Sequence, residues 1–130
     1  MTLRRLPAAA ALFALALAVL PAAAPARSAA RTTIFIQSPS HNIACQLDSR
    51  LGALCTVFSL SRQASVSQRG KVRVFAQNSN PPSGGVRTLH YGKSLRVGHV
   101  RCTSHRTGMR CIQLPSGHGY IASRSGFETR

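Results

Sequence analysis

The chain has 130 residues, with 17 basic and two acidic side chains, a formal charge of +15, four cysteines and no tryptophan. This length allows one domain. With Asp48 expected in a turn and Glu128 in the tail, carboxylate-dyad glycosidase chemistry is excluded, and a nucleophilic triad lacks both its orienting acid and a G-x-S-x-G turn.

The first 30 residues read as a signal peptide with a helical apolar run. Arg4 and Arg5 form a positive n-region, residues 8–20 the apolar stretch, and small residues over 21–30 place cleavage between positions 26 and 30. The run is shorter than the roughly 20 residues a membrane span needs. The expected product is a single β domain over 31–130, secreted or periplasmic, with no integral span. Removing Arg4, Arg5 and Arg27 takes the 17 basic residues to 14, which against the two acids leaves +12. Export to an oxidising space directs the four cysteines to disulfides, and this supports a core limited by chain length.

Residues 33–36 (TIFI) are β-formers stopped by Ser38-Pro39-Ser40. A hairpin follows. Ile43, Cys45 and Leu47 alternate on one arm and Ala53, Cys55 and Val57 on the other, with Asp48, Ser49 and Gly52 supplying the turn. Folding the arms back pairs Cys45 with Cys55. The serine-rich run 59–70 reads as loop with at most one helical turn, 71–77 as a strand, 78–85 as a Pro/Gly loop, and 86–92 as a strand ending at Gly92.

Over 95–102 the apolar parity switches at Gly98, which reads as a β-bulge. A second hairpin is expected with Arg106-Thr107 at its tip, Cys102 facing Cys111 and Ser104 facing Met109. Pro115 and Gly117 turn the chain into a strand over 119–124, and residues 125–130 form a short tail that Phe127 could dock. Short strands with no convincing helix predict an all-β, disulfide-stapled sandwich or partly open barrel built from hairpins.

The candidate anion-binding residues are Arg73, Arg96, Arg101, Arg110, Arg124 and His118. Arg101 and Arg110 are expected to be diagonal neighbours on the face opposite the cysteines. So basic a domain attracts anionic partners: an envelope polymer, polysaccharide, lipid head group or nucleic acid. Stacking aromatics are sparse for nucleic acid. Flanking glycines open the backbone at His118 to a ligand. No catalytic, metal or cofactor site is expected. The C-x9-C and C-x8-C spacings do not suit zinc even with His41, His99 and His105 nearby. A monomeric, non-enzymatic binding module is the leading reading. The alternatives are a small cationic nuclease using His41, His90 or His118 with Arg101 or Arg124 as phosphate clamp, and an inhibitory or partner-binding envelope protein.

Several of these residues form a pattern. Ser38-Pro39-Ser40, Asn42, Ile43 and Cys45 resemble the opening of a group of small exported bacterial proteins classed as a domain of unknown function. Tyr91-Gly92, Cys102, Ser104, Gly108, Cys111, Gly117-His118-Gly119-Tyr120 and Ser123 are similar to its later part. The likeness spans about 35–125, except 59–85. Position 41 is histidine where glycine is commoner in that group, and Tyr120 stands where phenylalanine is usual. The resemblance implies export, disulfides and a compact β domain, and carries no catalytic residue.

Overall fold

The computed structural model describes residues 2–3, 14–22, 30–82 and 84–130. The n-region at Arg4-Arg5, residues 8–13 of the expected leader helix and most of the cleavage segment lie outside the described residues, and 14–22, which are described, carry no regular secondary structure. Among those described, no helix is long and apolar enough to cross a membrane.

Eleven strands follow in order: β1 (Thr33–Gln37), β2 (Ile43–Asp48), β3 (Gly52–Val57), β4 (Arg62–Val66), β5 (Val72–Ala76), β6 (Val86–Thr88), β7 (Ser94–Val97), β8 (Val100–His105), β9 (Gly108–Gln113), β10 (Gly119–Ser123) and β11 (Gly126–Thr129). The first sheet has the order β5-β4-β3-β2-β1-β6 and the second β11-β10-β9-β8-β7. All neighbours are antiparallel except β1 and β6, which run parallel. Period-two alternation buries one face of each sheet against the other. Ile36, Leu47, Val57 and Val66 meet Val100, Met109, Tyr120 and Ala122 in one apolar core. The all-β class is therefore a two-sheet sandwich.

Each sheet contains a five-stranded meander, and the three central strands of one, β2–β4, correspond in register to those of the other, β8–β10. A cystine joins the second and third strands of each: Cys45–Cys55 in β2 and β3, Cys102–Cys111 in β8 and β9. Leu47 opposes Ala53 as Ser104 opposes Met109. On the next strand, Cys55 opposes Ala64 as Cys111 opposes Tyr120. The third strand of each opens with a glycine for the same steric reason. A Cβ on Gly52 would meet Val66 O at 1.9 Å, and one on Gly108 would meet Ala122 O at 2.1 Å. At the Ala64–Tyr120 position one sheet is small where the other is large, and the Tyr120 hydroxyl crosses the core to donate to Ala53 O at 3.3 Å. Burial pushes the Tyr120 phenol above its ordinary range, so it remains a neutral donor.

Four local expectations are corrected. Residues 62–66, expected as loop, form β4 after a 3-10 turn at Phe58–Leu60. Gln63 and Ser65, which hide the strand signal, lie on its outer face, and there Gln63 bonds Thr56 and Ser79 under the loop that follows β5. The strand expected over 86–92 shortens to β6. Gly98 is no bulge. With His99 it makes a two-residue reversal that sets Val97 opposite Val100, and such a reversal changes apolar parity just as an extra residue does. The tail is a full edge strand, β11, with Phe127 edge-on to Tyr120 at 6.2 Å between centroids.

Candidate functional site

The outer face of the second sheet is where the expected arginines gather. Arg96 on β7 stands directly opposite Arg101 on β8, a position that brings Cβ atoms to about 5 Å. Arg110 on β9 opposes Thr103 and is the diagonal neighbour of Arg101, which itself opposes Ile112. Continuing that row across Gly119 reaches Arg130, whose backbone pairs both ways with Gly119. Arg130 had no strand context in the sequence, because Phe127 suggested a docked tail but nothing there patterned it as a strand. Half-buried Ile112 and Ile121 lie among these arginines, so their stems have apolar surface to cover.

Four arginines on one face need anions, and the protein supplies few. Asp48 is buried on the first sheet, where it accepts from Arg31 Nε at 2.8 Å, Thr33 Oγ1 at 2.9 Å and the amides of Arg50 and Leu51. Burial opposes its ionisation, but the Arg31 guanidinium, the Arg50 amide, the Thr33 hydroxyl and the Leu51 amide outweigh that and hold the carboxyl well below its usual range. Glu128 stands on β11, two strands from Arg110, and meets Arg130 at 3.8 Å. Among the described residues these are the two ion pairs. Arg96 Nε donates to Gly98 O at 2.8 Å. Arg110 Nε is shut off from solvent and finds no acceptor.

The remaining expected residues are dispersed. Arg73 is on β5, opposite Ser65 and on the outer face of the first sheet. This corrects its grouping with Arg96, Arg101 and Arg110, because the meander carries β5 to the far edge of the other layer. His118 sits in the β9–β10 turn with Nδ1 3.4 Å from Arg130 O, bordering the arginine face at one end of the sandwich. Arg124 is at the opposite end, in the β10–β11 turn. There it helps line a cleft of about 660 Å³ together with the β1–β2 turn, Tyr91 and the β8–β9 tip.

Two members of the expected histidine set, His41 and His118, are held apart. His41 belongs to the β1–β2 turn at the cleft end and His118 to the turn at the other. His41 has φ +63°, a conformation glycine takes without a Cβ penalty.

The sulfurs of Cys45, Cys55 and Cys111 lie within 4.8 Å of one another. That cluster is two stacked cystines, and no free cysteine occurs among the described residues. Oxidised sulfur offers no thiolate to a metal. The two disulfides are compatible with an extracytoplasmic location.

Comparison with protein-family models, curated proteins and solved structures finds no match.

Proposed function

We propose that this is an exported, monomeric binding domain, without catalytic activity of its own, whose second sheet holds an anionic partner. The carrying observation is the direct opposition of Arg96 and Arg101 with Arg110 diagonal to them. Like charges set directly across a strand pair destabilise a sheet. A solvated face can tolerate this, but nothing in the fold requires it. An anion laid across β7, β8 and β9 converts three repulsions into three attractions. The Ser94 and Thr103 hydroxyls, paired at 2.7 Å on the same face, add neutral donors beside the charges.

A chain of repeated anions suits this surface better than a single small one. The cations span at least three strands, roughly 10 Å at the usual inter-strand spacing. Retention on immobilised heparin as a function of salt is the test. Reversal of Arg101 and Arg110 together is expected to move elution to distinctly lower salt, because every cation taken from the face weakens the salt-screened attraction to the polymer.

A further inference from the structure

We infer that the cleft at the Arg124 end of the sandwich is a binding site for an acidic oligosaccharide, taking one or two sugar rings that carry carboxylates. The inference rests on the anion-binding reading of the second sheet and names the ligand class. Its first support is the correspondence between the two meanders.

Counting two residues beyond Val66 and Ala122, which oppose Ala53 and Met109 respectively, reaches Gln68 in one meander and Arg124 in the other. Gln68 closes its end of the sandwich. Its Nε2 donates to Asp48 O at 2.8 Å and Val97 O at 3.1 Å, and its Oε1 accepts from the His99 amide at 2.7 Å. It lies so close that a Cβ on Gly98 would meet its Oε1 at 2.7 Å. At the other end the corresponding space is open. Arg124, exposed and with no hydrogen bond to a described residue, stands at its wall. The same architecture thus builds a plugged end and a cleft, and the residue at the plug position is a cation.

The chemistry of the walls selects the ligand. Arg106 at the β8–β9 tip stands 5.5 Å from the Tyr91 ring centroid, so one guanidinium and one half-exposed aromatic face share a wall. Arg124 supplies the second guanidinium, and Ser40 and Ser125 are exposed hydroxyls. Glu128 is also in the wall. Its carboxylate opposes an inorganic polyphosphate, which carries dense charge and no hydrogen-bond donor. A sugar acid offers all three matching features: a carboxylate for the arginines, hydroxyl donors for Glu128 and an apolar ring face for Tyr91. The volume lies within the roughly 300–1,000 Å³ of small-ligand sites. Ile121 and Glu128 belong both to this wall and to the outer face carrying Arg110, so a polymer seated on the arginines continues into the cleft.

Calorimetric titration of the purified protein with tetramers of galacturonate, glucuronate and mannuronate tests this, with inorganic tetraphosphate as the pure-charge comparator. The expected result is binding of at least one uronate tetramer, weakened tenfold or more by Tyr91→Ala and by Arg106→Ala with Arg124→Ala. Tyr91→Phe should stay within about twofold of the parent, as aromatic stacking requires, and tetraphosphate affinity should not respond to Tyr91→Ala. Failure of all three tetramers to bind overturns the inference, as does an unchanged affinity in Tyr91→Ala or a tetraphosphate affinity equal to that of the best tetramer. Heparin retention and its loss in Arg101→Glu with Arg110→Glu, two positions outside the cleft, read the arginine face. If Tyr91→Ala and the parent elute together while the tetramers fail, only the cleft inference is lost; if the parent is not retained, the face reading falls on its own.

Discussion

Cys55 Sγ lies 3.5 Å from Cys111 Sγ, so the cystines of the two meanders touch at the centre of the core. Each closes a loop of nine or ten residues, worth a little under about 3 kcal/mol in the chain-entropy account. Removing one cystine by a double Cys→Ala substitution is expected to cost about that much in chemical unfolding. The contact adds a sharper expectation for a single substitution. In Cys102→Ser the freed Cys111 thiolate sits against Cys55 and attacks the Cys45–Cys55 bond, forming Cys55–Cys111 and releasing Cys45 as thiolate. Peptide mapping should find 45–55 and 102–111 in the parent and a 55–111 fraction in the variant. Absence of that fraction after incubation at alkaline pH would contradict the packing.

Gly52 and Gly108 should behave alike, because they occupy the same place in the two meanders. Their φ values are +103° and +152°, and each lets a neighbouring carbonyl approach where a Cβ would stand. Alanine at either is expected to destabilise by several kcal/mol, since strained backbone and a backbone clash combine. Gly84→Ala, with nothing within 4 Å and no positive φ, is the control and should leave the melting temperature unchanged. A melt of Gly108→Ala within a few degrees of the parent would refute the equivalence.

Asp48 makes stability depend on acid. Its folded carboxyl titrates well below its unfolded value, so its contribution is complete above the unfolded value of about 4 and is lost as pH falls below that. Thermal melts from pH 6 to pH 2 should therefore show a fall that begins near pH 4. Asp48→Asn should be less stable at neutral pH by about 1–3 kcal/mol, from the donors left unmet, and should show a weaker acid dependence.

The sequence carried the parts of this fold that are local. The Cys45–Cys55 and Cys102–Cys111 ribbons were legible because alternation, turn residues and cysteine spacing agree within about a dozen positions, and their register follows from the turn. β4 was not, since its inward residues are the small Ala64 and Val66 and its outward Gln63 is satisfied by a loop arriving from 15 residues later. Small apolar residues give a weak periodic signal, and their complement here is Tyr120 on the other sheet.

The candidate site divides the same way. Arg96, Arg101 and Arg110 could be placed on one face by strand parity. Whether Arg73 joined them depended on sheet membership, which no local pattern encodes. Tyr91, Arg106 and Arg124 come from three separate segments, and only the packed sandwich brings them round one cleft. The signal that could have pointed there is the shared register of the two cysteine ribbons. Extended by one strand, it aligns Gln68 with Arg124.

The proposed binding depends on where the arginines stand and not on net charge. Arg101→Glu with Arg110→Glu, on the second sheet, changes the charge by as much as Arg62→Glu with Arg73→Glu on the first. Salt-gradient elution from heparin should shift strongly for the first pair and only slightly for the second. Equal shifts for the two pairs would contradict the account, because they would show a diffuse field of charge with no binding face.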